Sequence, residues 1–216
     1  KLNDTKYTQP AIFIISAIAF NIYKDQFGLP HCCAGHSLGE ITALYSSNVL
    51  EFSDALKLIQ RRAENMKEAG KVNPGGMLAI IKPDKDSINI ILNNNPTITI
   101  ANINSKKQII LSGDLASIKN TLLYCKNKKI KAIRLPVSGA FHSSLMSPAS
   151  DALLKTINQL NFKDAIIPIY QNYTAIRTQN RNLIRDNLIK QITSIVKWEK
   201  TIKNMINDNV SYFIEL

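Results

Sequence analysis

Beyond Thr8-Gln9-Pro10, the apolar residues Ala11, Ile14, Ile15, Ile18 and Ile22 recur at three- and four-residue spacing. That is the period of one helix face, and proline is tolerated in a first helical turn. The spacing predicts a first helix with this stripe buried. Its most apolar stretch, Ala11 to Phe20, is about half the ~20 residues a bilayer span requires, and Asn21, Lys24 and Asp25 follow directly. A core helix is expected, with no membrane association. A short run from His31 to Ala34 then meets Gly35-His36-Ser37-Leu38-Gly39, and Glu40 to Ser47 is compatible with helix. The order is strand, sharp turn, helix. Ser53 is placed to cap a further helix that runs to about Ala69, ahead of Gly70 and the breaker Asn73-Pro74-Gly75-Gly76.

From Met77 the elements shorten. The pattern predicts strand Met77 to Ile81, helix Asp84 to Leu92, strands Ile98 to Ala101 and Gln108 to Ser112, helix Leu115 to Lys126 and strand Ile130 to Leu135. A βαββαβ order points to a ferredoxin-like insert in an α/β protein. After Pro136, helices near Pro148 to Leu160 and Arg185 to Met205, with strands near Ile166 to Tyr170 and Tyr212 to Leu216, return the chain to the first layer. Residues 1–75 and 137–216 are thus expected to form the core and residues 76–136 a small subdomain. Lys1 in place of methionine, and a closing strand with nothing after it, lead us to expect truncation at both ends.

Composition narrows the setting. At 216 residues with 45% hydrophobic content, the chain is long enough to bury a sizeable core. Lys and Arg exceed Asp and Glu by 27 to 16, a net charge of +11, which either attracts an acidic or phosphorylated partner or, as the stronger reading, reflects a compositional bias over solvated faces. The excess is spread along the chain with no basic block interleaved with aromatics, so nucleic-acid binding is not expected. Cys32, Cys33 and Cys125 are odd in number and lack metal-ligand spacing, which favours a reducing compartment and no metal. No secretory signal is visible. A cytoplasmic location is expected, or an organelle stroma or matrix if a transit peptide precedes Lys1.

A serine at the tip of a strand-to-helix turn is forced into a strained backbone, and flanking glycines remove side chains that would clash there. Ser37 is therefore the candidate nucleophile, against the alternative of a glycine turn holding an incidental serine. The helix that follows aims its N-terminal amides at the same spot, so Leu38 N–H is a candidate oxyanion donor. One such donor is worth ~2.7–4 kcal/mol in the transition state. The hydroxyl needs a base, and the chain has three histidines, His31, His36 and His142. His36 neighbours the nucleophile and points elsewhere, and His31 lies at the far end of the incoming strand. His142, in the loop Gly139-Ala-Phe-His-Ser-Ser144, is left. No Asp or Glu is marked by context as its partner, so a backbone carbonyl is the alternative.

Ala55, Leu58, Ile59, Arg62 and Met66 share one helical face, while Arg61 falls with Lys57, Glu64 and Glu68 on the wet side. A buried guanidinium is costly without a partner. Arg62 needs an internal carboxylate or an anionic ligand, unless it snorkels to solvent. A ligand carboxylate would be held by two parallel bonds that lysine cannot match.

With these residues in place the chain resembles the malonyl-CoA:acyl-carrier-protein transacylase family over nearly its whole length. Thr8-Gln-Pro-Ala11 resembles the helix-start motif of that family, and Gly35-His-Ser-Leu-Gly-Glu40 its nucleophile elbow. Glu51-Phe-Ser-Asp-Ala55 leads into the arginine helix, Asn102-Ile-Asn-Ser105 with Gln108 resembles the small-subdomain motif, and Gly139-Ala-Phe-His142 with Leu145-Met146 the histidine loop. Gln191 followed by Val196-Lys-Trp198 resembles the segment whose glutamine carbonyl receives the histidine N–H. The resemblance implies an α/β-hydrolase-like core with the ferredoxin-like insert. It implies that Ser37 takes malonyl from malonyl-CoA and passes it to the phosphopantetheine thiol of acyl carrier protein, in ping-pong fashion. Arg62 would pair with the malonyl carboxylate, His142 serve as base then acid, and Gln191 orient it through its carbonyl. Gln9, Phe141 and Asn104 are the further substrate-binding candidates. Phe141 resembles the malonyl-selective form of the loop rather than the methylmalonyl-selective one. Coenzyme A and phosphopantetheine enter only within substrates, no bound cofactor is expected, and a monomer is expected.

Three features depart from the family. Nothing like the Gly-Gln-Gly loop that supplies the second oxyanion amide precedes Lys1, nor does a Gly-Pro-Gly follow the last strand, so activity of the chain as written is expected to be impaired. Lys106-Lys107 replace a frequent Pro-Gly turn, adding charge suited to coenzyme A phosphates or an acidic carrier. The competing readings are a serine thioesterase or hydrolase on the same Ser37 and His142, and a non-catalytic carrier-binding fragment.

Overall fold

The computed structural model describes residues 4–216, so Lys1 and the expectation attached to it lie outside the described residues. Helix α1 (Thr5–Phe27) starts earlier than the pattern predicts, because the Asp4 side chain accepts the Lys6 N–H and caps it. Pro10 therefore sits in the second turn, inside the helix. The buried face is Gln9, Phe13, Ala17 and Phe20. The isoleucine stripe faces outward instead, with Ile15 68% exposed and Ile18 and Ile22 each 54%. A helix apolar on two sides offers either stripe to the core at the same period, and ring packing decides: Phe13 stacks on Phe52 and meets Tyr45 edge-on.

In chain order follow β1 (Cys33–Ala34), α2 (Gly39–Ser46) and α3 (Phe52–Val72), then β2 (Gly75–Ile81), α4 (Lys85–Asn94), β3 (Thr99–Ser105), β4 (Gln108–Asp114), α5 (Leu115–Asn127) and β5 (Ala132–Arg134). A 3-10 turn (Ser144–Met146) leads into α6 (Ser147–Ile157), and then come β6 (Ile169–Tyr170), β7 (Arg177–Thr178), α7 (Arg181–Gln191) and α8 (Trp198–Asn207). Glu51, not Ser53, holds the cap position of α3, and the helix continues through Gly70. Gly70 lies inside the helix rather than beyond its end and is a packing site, since a Cβ there would lie 2.8 Å from the Ser138 carbonyl oxygen.

Two sheets result. The smaller has the order β1-β6-β7, with β1 parallel to β6 in the register Cys33 to Ile169 and Ala34 to Tyr170. The larger is antiparallel with the order β3-β4-β2-β5. Asp84 and Asp114 cap α4 and α5, and these helices close one face of that sheet over Leu78, Ile80, Ile91, Leu111 and Ile118. Its other face, through Met77, Ala79, Ala101 and Ile110, packs on Phe141. The main core joins α1, α2, α3, α6 and α7 through residues such as Phe13, Leu44, Leu58, Leu153 and Leu188.

Two expectations near the end are corrected. The helix expected over Arg185 to Met205 is two helices, separated between Gln191 and Trp198. Val196 leaves the helical path to bridge Asn102 of β3, and its N–H donates to the Ala101 carbonyl. The stretch Tyr212 to Leu216 forms no strand: it pairs with no strand among the described residues, and its contact with α1 is a Ser16 hydroxyl bond to the Leu216 carbonyl. No helix among the described residues is long and apolar enough to cross a membrane.

Candidate active site

The polypeptide leaves β1 through Gly35 and turns so sharply that Ser37 adopts φ +53°. Gly35 is what makes this turn possible, because a Cβ there would fall 1.9 Å from the backbone of Gly39. Gly39 itself faces open space, so only one of the two glycines is required by contact within the protein. Ser37 is lifted to the N-terminus of α2, and the neighbouring Leu38 N–H keeps no acceptor among the described residues, which suits it to receive an oxyanion.

His142 stands on the other side of the hydroxyl. Its Nε2 is 2.8 Å from Ser37 Oγ and its Nδ1 is 3.0 Å from the Gln191 carbonyl oxygen. The carbonyl can only accept, so Nδ1 carries the proton and Nε2 presents its lone pair to the serine O–H. The break after α7 makes this possible, because a carbonyl in the last turn of a helix has no intrahelical donor. Burial to 4% exposure, reinforced by the Arg62 charge, holds the imidazole pKa down to about 3, so the ring is neutral at ordinary pH.

Arg62 lies where its helical stripe placed it, 2% exposed. Nη1 donates to Gln9 Oε1 at 2.5 Å, and Nη2 donates to Ser37 Oγ at 2.9 Å and to Gln191 Oε1 at 3.3 Å. All three acceptors are neutral. No carboxylate lies within ion-pair distance of it among the described residues, and its buried Nε has no acceptor. Burial lowers its pKa to about 10, opposed by the charge of Glu40. Arg61 projects into solvent and pairs with Glu64, as its position on the wet face predicts.

The remaining candidates occupy different places. Gln9 supports Arg62 and also donates to Thr5 Oγ1. Gln191 contributes its side chain as well as its carbonyl, with Nε2 donating to the Ser37 carbonyl at 2.9 Å. Phe141 packs between the main core and the larger sheet. Asn104 is engaged at both ends of its amide, accepting from His36 Nε2 at 2.9 Å and donating to Gln108 Oε1 at 2.8 Å. His36 thus points away from the hydroxyl, toward β3 and the edge of Trp198. Sequence reasoning missed Glu40 and Asn172, both fully buried. Their signal was faint: a carboxylate directly after the elbow, and a polar Gln171-Asn172 pair ending an apolar run.

Known proteins resemble this chain over nearly its whole length. The acyl transferase domain family matches residues 1–216. The malonyl CoA-acyl carrier protein transacylase of Synechocystis sp. is 37% identical over 202 residues, covering 93% of this chain and 67% of that protein. The Escherichia coli protein of the same name is 33% identical over 221 residues, covering 100% of this chain and 72% of its own length. A malonyl-transacylase solved in complex with its type II PKS acyl-carrier protein superposes with a TM-score of 0.91 at 30% identity, covering 97% of this chain and 70% of that one. The chain belongs to the acyl transferase domain family, among the malonyl CoA-acyl carrier protein transacylases.

Proposed function

We propose that this chain transfers malonyl from malonyl-CoA to the phosphopantetheine thiol of acyl carrier protein, through a malonyl ester on Ser37. The observation that carries this reading is Arg62: a buried guanidinium on the nucleophile's own oxygen, bonded only to neutral groups, with Nε unsatisfied. A cation so placed is suited to an acyl group that ends in a carboxylate, which malonyl has and acetyl lacks.

In the first half-reaction Ser37 Oγ attacks the thioester carbonyl carbon while its proton moves to His142 Nε2. The charge on the carbonyl oxygen falls toward the Leu38 amide and the N-terminus of α2. Collapse breaks the carbon–sulfur bond, and the coenzyme A sulfur leaves with the proton from His142. In the second half-reaction the phosphopantetheine thiol gives its proton to His142 and attacks the ester; Ser37 recovers a proton as it leaves. Gln191, accepting Nδ1–H throughout, takes the orienting part that a carboxylate fills in hydrolytic triads.

The β3-β4-β2-β5 order supports reading residues 76–136 as a ferredoxin-like subdomain, and residues 1–75 with 137–216 as an α/β-hydrolase-like core built around the elbow. We read the enzyme as a cytoplasmic monomer that meets coenzyme A and phosphopantetheine as parts of its substrates. Its free thiols at Cys32, Cys33 and Cys125 accord with a reducing compartment.

Intact-mass measurement after mixing with malonyl-CoA or acetyl-CoA tests the proposal. A malonyl adduct is expected that is absent from Ser37→Ala and that transfers to carrier protein. Rapid release of malonate without carrier protein would make the chain a hydrolase, and no adduct at all would leave it a binding fragment.

A further inference from the structure

Asn172 follows β6, where the parallel ladder with β1 runs out because the elbow turns away from the sheet. Its side chain continues the ladder. Oδ1 accepts the Ser37 N–H at 2.7 Å and Nδ2 donates to the Gly35 carbonyl at 2.7 Å, so one carboxamide takes both backbone groups that flank His36. The main chain of Asn172 is equally engaged. Its N–H donates to Glu40 Oε2 at 2.6 Å, and its carbonyl accepts the Lys197 N–H at 3.1 Å. Glu40 is fully buried and also accepts from Gln171 Nε2 at 3.2 Å.

A non-glycine residue at positive φ is strained and persists only where its surroundings hold it. We propose that Asn172 is a positioning residue: its carboxamide clamps the elbow, holds Ser37 in its left-handed conformation and consumes the Ser37 N–H, so that the neighbouring Leu38 amide is the elbow's donor to the oxyanion. Glu40 sets the clamp by fixing the Asn172 backbone from the far side, in the first turn of α2. The inference deepens the acyl-transfer reading, yet the geometry of Ser37 that it concerns can be probed with no acyl donor.

Two substitutions separate a clamp from bulk packing. Asn172→Asp keeps size and the acceptor for Ser37 N–H, but turns a carboxylate oxygen toward the Gly35 carbonyl. Only the protonated acid restores the missing donor. Asn172→Ala removes both bonds at every pH. Acylation of Ser37 by malonyl-CoA should fall roughly 100-fold in both near pH 8, a loss typical of a reacting group misplaced by about 1 Å, with KM little changed. Asn172→Asp should recover as the pH is lowered and Asn172→Ala should not. The charged groups around the elbow, Glu40, His36, His142 and Arg62, are common to wild type and variants, so the difference between profiles reports position 172.

Labelling of Ser37 with a fluorophosphonate, run alongside, should follow the same order. If wild type is labelled but never malonylated, the substrate reading fails and the clamp stands. In the wild-type chain, amide hydrogen exchange read by NMR should show Ser37 N–H protected, which needs no variant to fold. Folded variants that acylate at the wild-type rate, loss in Asn172→Asp without recovery at low pH, or an unprotected Ser37 amide would each overturn the inference.

Discussion

Arg62 Nη2 donates to Ser37 Oγ at 2.9 Å, while Ser37 Oγ lies 2.8 Å from His142 Nε2. The hydroxyl accepts from the cation and donates to the imidazole, so one short chain of bonds links the proposed acyl-recognition group, nucleophile and base. Arg62→Ala should leave acylation by acetyl-CoA measurable and abolish the preference for malonyl-CoA. The expected loss is ~3–5 kcal/mol, or roughly 10²- to 10⁴-fold in relative kcat/KM. Arg62→Lys should fail to restore it, because a point charge cannot replace the planar fork. A retained malonyl preference in Arg62→Ala would remove the carboxylate role.

The pH dependence of acylation should be flat. A base works only when unprotonated, and His142 stays neutral until the pH falls to about 3. The profile of kcat/KM for malonyl-CoA should therefore show no acid limb from about pH 8 down to about pH 5. A limb near the ordinary histidine value would show that the imidazole is solvated in solution.

The same group affects stability with the opposite emphasis. Its folded pKa is depressed below the unfolded value of 6.5, so its contribution is present above 6.5 and lost as pH falls toward 3, by up to ~1.4 kcal/mol per pH unit. Glu40 works the other way. Burial raises its pKa, so its contribution is full below the unfolded value and lost as pH rises. Urea unfolding followed from about pH 7 to about pH 5 should show a shallower loss of stability in His142→Gln than in wild type.

The two elbow glycines should respond differently to alanine. Gly35→Ala places a methyl group 1.9 Å from backbone atoms, and a destabilisation of at least ~3 kcal/mol is expected. Gly39→Ala meets nothing within 4 Å, and its stability should stay within about 1 kcal/mol of wild type. Thermal melts of both variants check this, and equal effects would place the crossing of the chain elsewhere.

Gln191→Ala keeps the carbonyl that holds His142 Nδ1 but loses side-chain bonds to the Ser37 carbonyl and from Arg62. At ~0.5–1.5 kcal/mol for each bond, acylation should fall roughly tenfold, whereas His142→Ala should cost ~10²–10⁴-fold. Equal losses in the two variants would shift the weight of the site onto the Gln191 side chain. For Phe141, competition between malonyl-CoA and methylmalonyl-CoA against Phe141→Ser measures whether its bulk sets selectivity; an unchanged ratio would assign it to packing alone.

Local pattern determined much of this protein. The turn at Ser37 could be read because glycine at position 35 and the switch from strand to helix are written in neighbouring residues, and Arg62 because helical period places it on a stripe with Leu58, Ile59 and Met66. The βαββαβ order of residues 76–136 was legible for the same reason, since each element carries its own periodicity and cap. Three things were left to the tertiary structure. Two apolar stripes on α1 obey one period, and only the rings of Phe52 and Tyr45 choose between them. The helix expected through Gln191 is broken because Val196 finds a partner on β3, and the Gln191 carbonyl, which also accepts the Ser194 N–H, is left within reach of His142. Asn172 reaches Ser37 across 135 residues. Its carboxamide is an ordinary polar side chain until the sheet brings β6 beside β1 and makes it the next rung of the ladder.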